Sequence, residues 1–361
     1  MIKTNRICFI RCDANEIIGY GHLFRCLSIA ENLRDYFSWE VFFISAASKK
    51  CEAIIKEKNF KLFNYICNDR SKLSREKLFL SMVSKLEPTL VIFDLRTNYD
   101  LSTLIAIKSQ KIIIASLDDP TDIRNYCDAS FYPPVPQIKK MDWSSFRGEL
   151  NKGWEWIAIG NEIKKYRDLK LRQFSNIGNE VKKNLKCCIS MGGSDPSNLT
   201  LLILNEVDKR NVNLDITVII GPDFIHFGDL EIFLKNANNT YSIVRDPENI
   251  YEIFYNMDFA IISFGTTAYE LAAIGTPFFF MSISEDHAES ASIFDNFDCV
   301  INLGLVNNYN TGALLNFIQK DSFKNSLFLR SSRNLLEQID GMGSMRIAER
   351  LNALAFLKNK F

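Results

Sequence analysis

The 361-residue sequence contains only three histidines, and its nine cysteines include no Cys-x-x-Cys pair. Dispersed histidines without a His-x-x-x-His spacing argue against a metal site, and an odd number of scattered cysteines argues against a disulfide framework. Several cysteines lie in apolar runs, where cysteine behaves as a small hydrophobic residue. We therefore expect no metal, no cofactor and a reducing, cytoplasmic location.

Net charge is also absent, because 43 basic residues balance 43 acidic ones. This balance argues against nonspecific binding to nucleic acid. No run approaches the roughly 18 continuous apolar residues of a spanning helix, and the amino-terminal apolar run is too short for a signal peptide. The sequence predicts neither a nucleic-acid partner nor stable membrane insertion.

The sequence has no Walker Gly-Lys-Ser/Thr motif and no Gly-x-Ser-x-Gly elbow, which argues against those nucleotidase and hydrolase classes. Short apolar runs alternate instead with helix-like segments such as Cys51–Lys58 and Ser71–Lys85, a pattern typical of parallel sheets covered on both faces. We predict two such α/β sheets, one in each half of the chain. The predicted strands are Ile7–Ile10, Val41–Ile44, Leu90–Phe93, Ile112–Ala115, Ala129–Tyr132, Cys187–Ser190, Ile216–Ile220, Phe259–Ser263, Phe278–Met281 and Val300–Leu303.

The predicted organisation is an amino-terminal domain over 1–165, a carboxy-terminal domain over 166–342 and a closing helix over 343–361. The join is placed between about residues 160 and 185, where the sequence is charged and lacks strand patterns. The closing helix is amphipathic, with a predicted apolar face formed by Ile347, Leu351, Leu354 and Leu357.

Three strand-to-helix turns are candidate ligand sites, because open α/β sheets bind ligands beyond the carboxyl ends of their strands. In the first turn, Gly19 and Gly21 precede His22 at a helix start, where the helix dipole disfavours the imidazolium. A neutral imidazole there can take a proton from water or a hydroxyl. The alternative is that His22 only caps the helix. Phe24 replaces the third glycine of Gly-x-Gly-x-x-Gly, so a dinucleotide site is not expected.

The second turn is Met191-Gly192-Gly193-Ser194, followed by Asp195 as predicted N-cap and Pro196 at the first helical position. Glycines before a capped helix favour a diphosphate site, although a tight turn would use them equally well. In the third turn, Gly265 leads into a helix predicted over Thr266–Ile274. Glu270 lies one turn into that helix, where its carboxylate suits ribose hydroxyls better than a phosphate.

Two more histidines remain. Asp286 and His287 begin another helix after a strand, and we expect His226, in a loop, to be structural.

The stretches "RCDANEIIGYGHLFRCLSIA", "MGGSDPSNLT" and "FGTTAYELAAIGTPFFFM" together resemble the nucleotide-sugar hydrolases of pseudaminic acid biosynthesis and their spore-coat polysaccharide relatives. The resemblance spans roughly residues 5 to 305. It implies two Rossmann-like domains of GT-B glycosyltransferase type, with a UDP-sugar in the cleft between them. The implied reaction is hydrolysis of UDP-2,4-diacetamido-2,4,6-trideoxy-β-L-altropyranose to UDP and free sugar, by inverting attack of water at C1 and without a metal.

The resemblance also implies roles for particular residues. His22 matches the catalytic histidine, Asp13 the acidic residue that positions it or a sugar hydroxyl, and Glu270 the ribose-binding glutamate. The expected partners are the UDP-sugar and enzymes of the same surface-polysaccharide pathway. The predicted substrate-binding set is Gly19, Gly21, Gly192, Gly193, Ser194, Gly265, Thr266, Glu270 and Asp286.

Two segments depart from the family pattern. Leu95 and Arg96 follow Asp94 where the family has an Asp-x-Tyr-like sequence, and Asp286-His287 stands where the family often has Asn-Gln. Two alternatives therefore stay open: a GT-B glycosyltransferase that passes the sugar to a hydroxyl acceptor, and a non-catalytic nucleotide-sugar binding protein.

Overall fold

The computed structural model describes residues 6–14, 19–46, 48–64, 72–175, 185–209, 214–221, 223–319 and 326–358. The chain divides into two compact units. Unit 1 comprises Met1–Pro134, Ile138–Gly160 and Met342–Phe361, and unit 2 comprises Val135–Gln137 and Asn161–Gly341. Among the described residues, no helix has both the length and the apolar composition that crossing a bilayer requires.

Unit 1 contains a seven-stranded, fully parallel sheet in the order β3-β2-β1-β4-β5-β6-β7. Its strands are β1 (Ile7–Cys12), β2 (Glu40–Ser45), β3 (Lys61–Asn64), β4 (Leu90–Asp94), β5 (Ile113–Leu117), β6 (Ala129–Tyr132) and β7 (Glu149–Lys152). Its helices are α1 (Gly21–Phe37), α2 (Lys49–Glu57), α3 (Lys72–Leu86), α4 (Leu101–Ser109) and, from the chain end, α13 (Gly343–Lys358).

In its described residues, unit 2 repeats this topology in a second seven-stranded sheet, ordered β10-β9-β8-β11-β12-β13-β14. The β13–β14 pair is antiparallel and the other pairs are parallel. Its strands are β8 (Leu185–Ser190), β9 (Leu214–Ile220), β10 (Tyr241–Arg245), β11 (Phe259–Ser263), β12 (Phe278–Ser282), β13 (Val300–Leu305) and β14 (Asn308–Tyr309). Its helices are α5 (Ile163–Ser175), α6 (Leu199–Asp208), α7 (Phe227–Asn236), α8 (Ile250–Asn256), α9 (Thr266–Ile274), α10 (Glu285–Ala291), α11 (Gly312–Gln319) and α12 (Ser326–Gln338).

The predicted fold class of two parallel α/β sheets is confirmed. Each predicted strand is present, with ends shifted by two residues at most. Four strands of the described residues were not predicted: β3, β7, β10 and β14. All four lie at sheet edges and are partly exposed, so they need no continuous apolar run.

Helix α13 packs against α1 and so returns the chain end to unit 1. Ile347 and Leu351 are buried in the same apolar cluster as Leu23 and Leu27 of α1. Leu354 is partly buried there, but Leu357 is 52% exposed, so its predicted place on the packed face is wrong. At about 100° of rotation per residue, Leu357 lies on the side of the helix away from the buried Leu351 and Ala355.

Candidate active site

In unit 1 the strand order reverses between β1 and β4, which lie side by side with Cys12 opposite Asp94. This reversal leaves a crevice at the carboxyl ends of the two strands, where ligands of open α/β sheets bind. Helix α1 begins at Gly21, shortly after β1, and β4 ends at Asp94. The topology therefore brings His22 and Asp94 to the same edge of the sheet.

His22 and Asp94 form a close polar contact. Nδ1 of His22 lies 2.6 Å from Oδ1 of Asp94. The Asp94 side chain is fully buried, whereas the His22 side chain keeps 14% of its surface exposed. The imidazole is thus held by a buried carboxylate and still has access to solvent.

Arg25 and Cys26, one turn along α1, complete the surroundings of Asp94. The guanidinium of Arg25 donates from Nε to Oδ2 at 2.6 Å and from Nη2 to Oδ1 at 2.5 Å. The Cys26 thiol donates to Oδ2 at 3.3 Å. Burial by itself raises the pKa of Asp94, but the charge of Arg25 and then the contact with His22 hold that pKa well below its usual range. Asp94 is therefore an ionised carboxylate.

A second carboxylate extends the network. Asp118, which follows β5, accepts from Arg25 Nη1 at 3.4 Å and from Arg96 Nη2 at 2.8 Å. Asp118 has a left-handed backbone conformation with φ of 47°, which is uncommon outside glycine. Arg96, one of the residues that departs from the family pattern, thus shares the Asp118 carboxylate with Arg25.

Asp13 has different partners from those predicted. Its carboxylate forms a two-pronged ion pair with Arg11, at 2.5 Å and 2.9 Å, and accepts the Ala46 backbone amide at 2.9 Å. Burial raises the pKa of Asp13, but the Arg11 charge and these hydrogen bonds outweigh it and lower that pKa. The carboxylate in contact with His22 is Asp94 rather than Asp13. The other role predicted for Asp13, positioning a sugar hydroxyl, stays a prediction.

The two glycines of the first turn lie at the start of helix α1. Gly19 has φ of 85°, a conformation that glycine adopts without strain, and Gly21 is the first residue of α1. Loop residues 15–18, which precede Gly19, fall outside the described part of the chain. Cys67 also lies outside it, and the eight described cysteines are all free thiols and buried.

In unit 2 the corresponding reversal of strand order lies between β8 and β11. After β8, Gly192 has φ of 96° and Gly193 contacts the loop that follows β9. The Gly193 carbonyl accepts the Asp223 amide at 3.3 Å. A side chain at Gly221 would place its Cβ 2.1 Å from that same carbonyl oxygen, so the two loops need glycine to approach so closely.

The start of α6 differs from the prediction. The helix begins at Leu199, with Asn198 as its N-cap residue, so the expected N-cap at Asp195 and first helical position at Pro196 are wrong. A turn from Asp195 to Asn198, closed by a 3.0 Å backbone hydrogen bond, intervenes because both residues adopt positive φ. The buried Asp195 carboxylate nevertheless accepts the Leu199 and Thr200 amides, each at 2.8 Å. These amides are consequently not open to a diphosphate, and Gly192, Gly193 and Ser194 lie before the turn.

Helix α9 spans Thr266–Ile274 as predicted, and Gly265 at its N-cap position provides no side-chain cap. An added Cβ at Gly265 would meet nothing within 4 Å, so the space before this helix start is open. Glu270 is buried, and its Oε1 accepts the Tyr251 hydroxyl at 3.0 Å. Burial raises the pKa of Glu270 to about 7, although the Tyr251 hydrogen bond acts in the opposite direction.

Asp286 is exposed on α10, where the Gln137 side-chain amide donates to its carbonyl and to its Oδ1 at 3.0 and 3.1 Å. The His287 ring lies edge-on to Phe264, with centroids 6.1 Å apart. The His226 ring packs against Phe224 beside α7. Among the described residues, no cluster of three or more His, Cys, Asp or Glu side chains could hold a metal ion.

No family profile matches the chain. A protein of Methanocaldococcus jannaschii, itself uncharacterised, is 28% identical over 274 residues, which are 73% of this chain and 53% of that protein. The chain thus aligns with about half the length of this relative.

Solved structures resemble the chain along nearly all of its length. MurG of Acinetobacter baumannii superposes with a TM-score of 0.68 at 13% identity, covering 96% of this chain and 98% of that one. A UDP-GlcNAc 2-epimerase of Neisseria meningitidis, bound to UDP-GlcNAc, gives 0.64 at 10% identity over 96% and 99%. A glycosyltransferase of Rickettsia africae gives 0.62 at 11% identity over 98% and 99%. The chain has the GT-B fold.

Proposed function

We propose that this protein hydrolyses a UDP-linked acetamido-deoxy sugar, of the 2,4-diacetamido-2,4,6-trideoxyhexose type, to UDP and free sugar. The observation that carries the proposal is the His22–Asp94 contact at the carboxyl edge of the unit 1 sheet. The fold supports nucleotide-sugar chemistry, since a GT-B neighbour is a UDP-GlcNAc 2-epimerase with UDP-GlcNAc bound. The sugar class and the pseudaminic-type pathway come from the sequence resemblance.

In the proposed reaction His22 is the general base. With Nδ1 against Asp94, the other ring nitrogen, Nε2, is the atom that accepts a proton. The water oxygen bonds to C1 of the sugar while the bond between C1 and the β-phosphate oxygen breaks. The water proton goes to Nε2, the electron pair leaves with UDP, and attack from the opposite face inverts C1. A positioned base of this kind contributes about 10²- to 10⁴-fold.

The nucleotide is assigned to unit 2. The start of α9 offers backbone amides without a side-chain cap, and together with Gly192 and Gly193 it would hold the diphosphate. Glu270 would accept a ribose hydroxyl. Asp286, exposed at the start of α10, would contact the sugar. Because Asp195 already occupies the first α6 amides, we assign the main phosphate contacts to α9.

The second candidate is a glycosyltransferase, and the GT-B glycosyltransferase of Rickettsia africae among the structural neighbours favours it. The base would then take the proton from an acceptor hydroxyl, with the rest of the chemistry unchanged. The family pattern has a tyrosine where this chain has Arg96, which pairs with Asp118. An acceptor would therefore contact Arg96 instead of that tyrosine.

The test is a UDP-release assay across 2,4-diacetamido-trideoxyhexose nucleotides without any acceptor, with NMR of the product. The proposal predicts release of UDP and a free sugar of inverted anomeric configuration. Release that requires an added hydroxyl acceptor would instead establish the transferase, and binding without release from any donor would establish a non-catalytic protein.

A further inference from the structure

The histidine tautomer can be assigned from the contacts of Asp94. Nδ1 of His22 has two polar neighbours: Asp94 Oδ1 at 2.6 Å and Arg25 Nη2, a donor, at 3.1 Å. The shorter contact decides the tautomer, because Nδ1 and Oδ1 would repel as two acceptors at 2.6 Å without a proton between them, whereas Arg25 Nη2 already donates to Oδ1. Asp94 does not carry it, because both of its oxygens already accept N–H groups of the Arg25 guanidinium. The proton therefore belongs to Nδ1.

Asp94 is also held in a single orientation. Its two oxygens accept hydrogen bonds from four atoms: His22 Nδ1, Arg25 Nε, Arg25 Nη2 and Cys26 Sγ. A carboxylate has roughly four acceptor positions, so all of them are occupied. The side chain is fully buried and Arg25 is only 14% exposed, so water does not compete freely for these contacts. A rigid acceptor fixes the ring that donates to it.

We infer that Asp94 and Arg25 are positioning residues that lock His22 in the Nδ1–H tautomer and leave Nε2 as its basic atom. Arg25 acts through Asp94: it supplies the charge that keeps the buried carboxylate ionised and the two N–H groups that orient it. The catalytic consequence rests on the proposed function, whereas the tautomer itself does not.

The decisive measurement is NMR of the full-length protein labelled with ¹⁵N-histidine. With only three histidines, replacing each in turn with glutamine assigns every ring. Long-range ¹H–¹⁵N correlations then show which nitrogen of His22 bears the proton. The inference predicts Nδ1–H in the unaltered protein at a pH where the ring is neutral, and finding Nε2–H there would overturn it without any variant.

Variants test the two positioning residues. Asp94→Asn alone takes away the two short ion-pair contacts of the Arg25 guanidinium and leaves it the longer one to Asp118, which is destabilising in so enclosed a place. The double variant Arg25→Gln with Asp94→Asn removes both charges together, so it is the variant in which the His22 tautomer is measured. It should lose the single tautomer and give a mixture or Nε2–H. Asp119→Asn is the matched control, because Asp119 is equally buried but its carboxylate accepts from Thr121 and from the Arg124 backbone amide, away from His22. An unchanged His22 tautomer in the folded double variant would overturn the inference.

Kinetics separate this inference from the proposed function. If UDP release is observed, the double variant should lose about 10²- to 10⁴-fold in kcat with little change in KM, as for a misoriented base. A normal kcat with a lost tautomer would refute the positioning role. If no nucleotide sugar is cleaved by the unaltered protein, the proposed function fails while the NMR result still decides the tautomer.

Discussion

Two buried carboxyl groups in this protein have opposite electrostatic surroundings. Asp94 faces the Arg25 guanidinium and is ionised. Glu270 accepts a hydrogen bond from the neutral Tyr251 hydroxyl, and burial raises its pKa to about 7. The same loss of water therefore produces a permanent anion in unit 1 and a group that titrates near neutrality in unit 2.

Glu270 predicts a specific pH dependence of stability. Folded Glu270 keeps its proton up to a pKa of about 7, whereas the unfolded chain releases it near the ordinary glutamate pKa of 4.5. Between these values the folded state binds more protons, so the free energy of unfolding falls as pH rises, by up to about 3 kcal/mol. Glu270→Gln should remove this decline.

Two measurements from pH 5 to 8 test this: urea unfolding gives the free energy of unfolding, and hydrogen exchange in β11 and α9 locates the effect in unit 2. The expected result is that Glu270→Gln gains stability relative to the unaltered protein as pH rises. A constant difference between the two proteins across that range would show that Glu270 does not titrate there.

His22 was predictable because a rare histidine after a Gly-x-Gly turn is conspicuous, but the carboxylate beside it was not. The family resemblance offered Asp13, as a residue that positions either the histidine or a sugar hydroxyl. The actual partner, Asp94, lies 72 residues away. The available signal was topological: Asp94 ends the strand next to β1, so strand order, which a sequence leaves undetermined, was needed to connect them. Arg25 was missed as an ordinary polar position of an amphipathic helix.

At the scale of elements, the loops after β8 and β9 depend on each other. Gly221→Ala would drive a Cβ into the Gly193 backbone, at 2.1 Å from the oxygen and 2.3 Å from Cα. Backbone atoms cannot rotate away as a side chain does, so we expect a loss of about 1 to 3 kcal/mol and a displaced glycine turn.

Gly228→Ala is the matched control, since its added Cβ meets nothing within 4 Å and the residue lies in α7. Alanine favours a helix over glycine by about 0.5 to 1 kcal/mol, so this variant should be as stable as the original or slightly more so. Equal stability of the two variants, measured by thermal unfolding, would contradict the close approach of the loops.

Elements with continuous apolar runs were predictable, and those at the edges were not. Strands β4 and β11 are buried, and their continuous apolar sequence predicts them. The edge strand β7 reads Glu-Leu-Asn-Lys and owes its conformation to pairing with β6. The start of α6 was predicted too early, because an N-cap residue normally lies directly before the first helical residue. Asp195 instead accepts the Leu199 amide from four residues earlier, across a turn.

At the scale of the whole molecule, the chain leaves unit 1 and returns to it. Helix α13, from the end of the sequence, completes the apolar cluster around α1. Unit 1 therefore requires the carboxy-terminal residues even though its sheet is encoded before residue 153. The predicted boundary at residue 343 marks a helix that belongs to the first unit's core.

Leu351→Ala tests this assignment. Leu351 is fully buried, and replacing such a leucine typically costs about 2 to 5 kcal/mol. Hydrogen exchange should accelerate in α1 and β1 of unit 1 and stay unchanged in β8 and β11 of unit 2. Leu357→Ala, at a half-exposed position of the same helix, should change neither. Faster exchange in unit 2 alone would contradict the assignment of α13 to unit 1.

In the proposed function the imidazole of His22 removes the proton from the nucleophile that attacks C1 of a UDP-sugar. The most direct test is to measure UDP release and UDP binding side by side in the unaltered protein and in His22→Ala. We predict a roughly hundredfold or larger fall in turnover with the dissociation constant of UDP unchanged. Turnover that survives the substitution undiminished would remove His22 from the reaction and contradict the account.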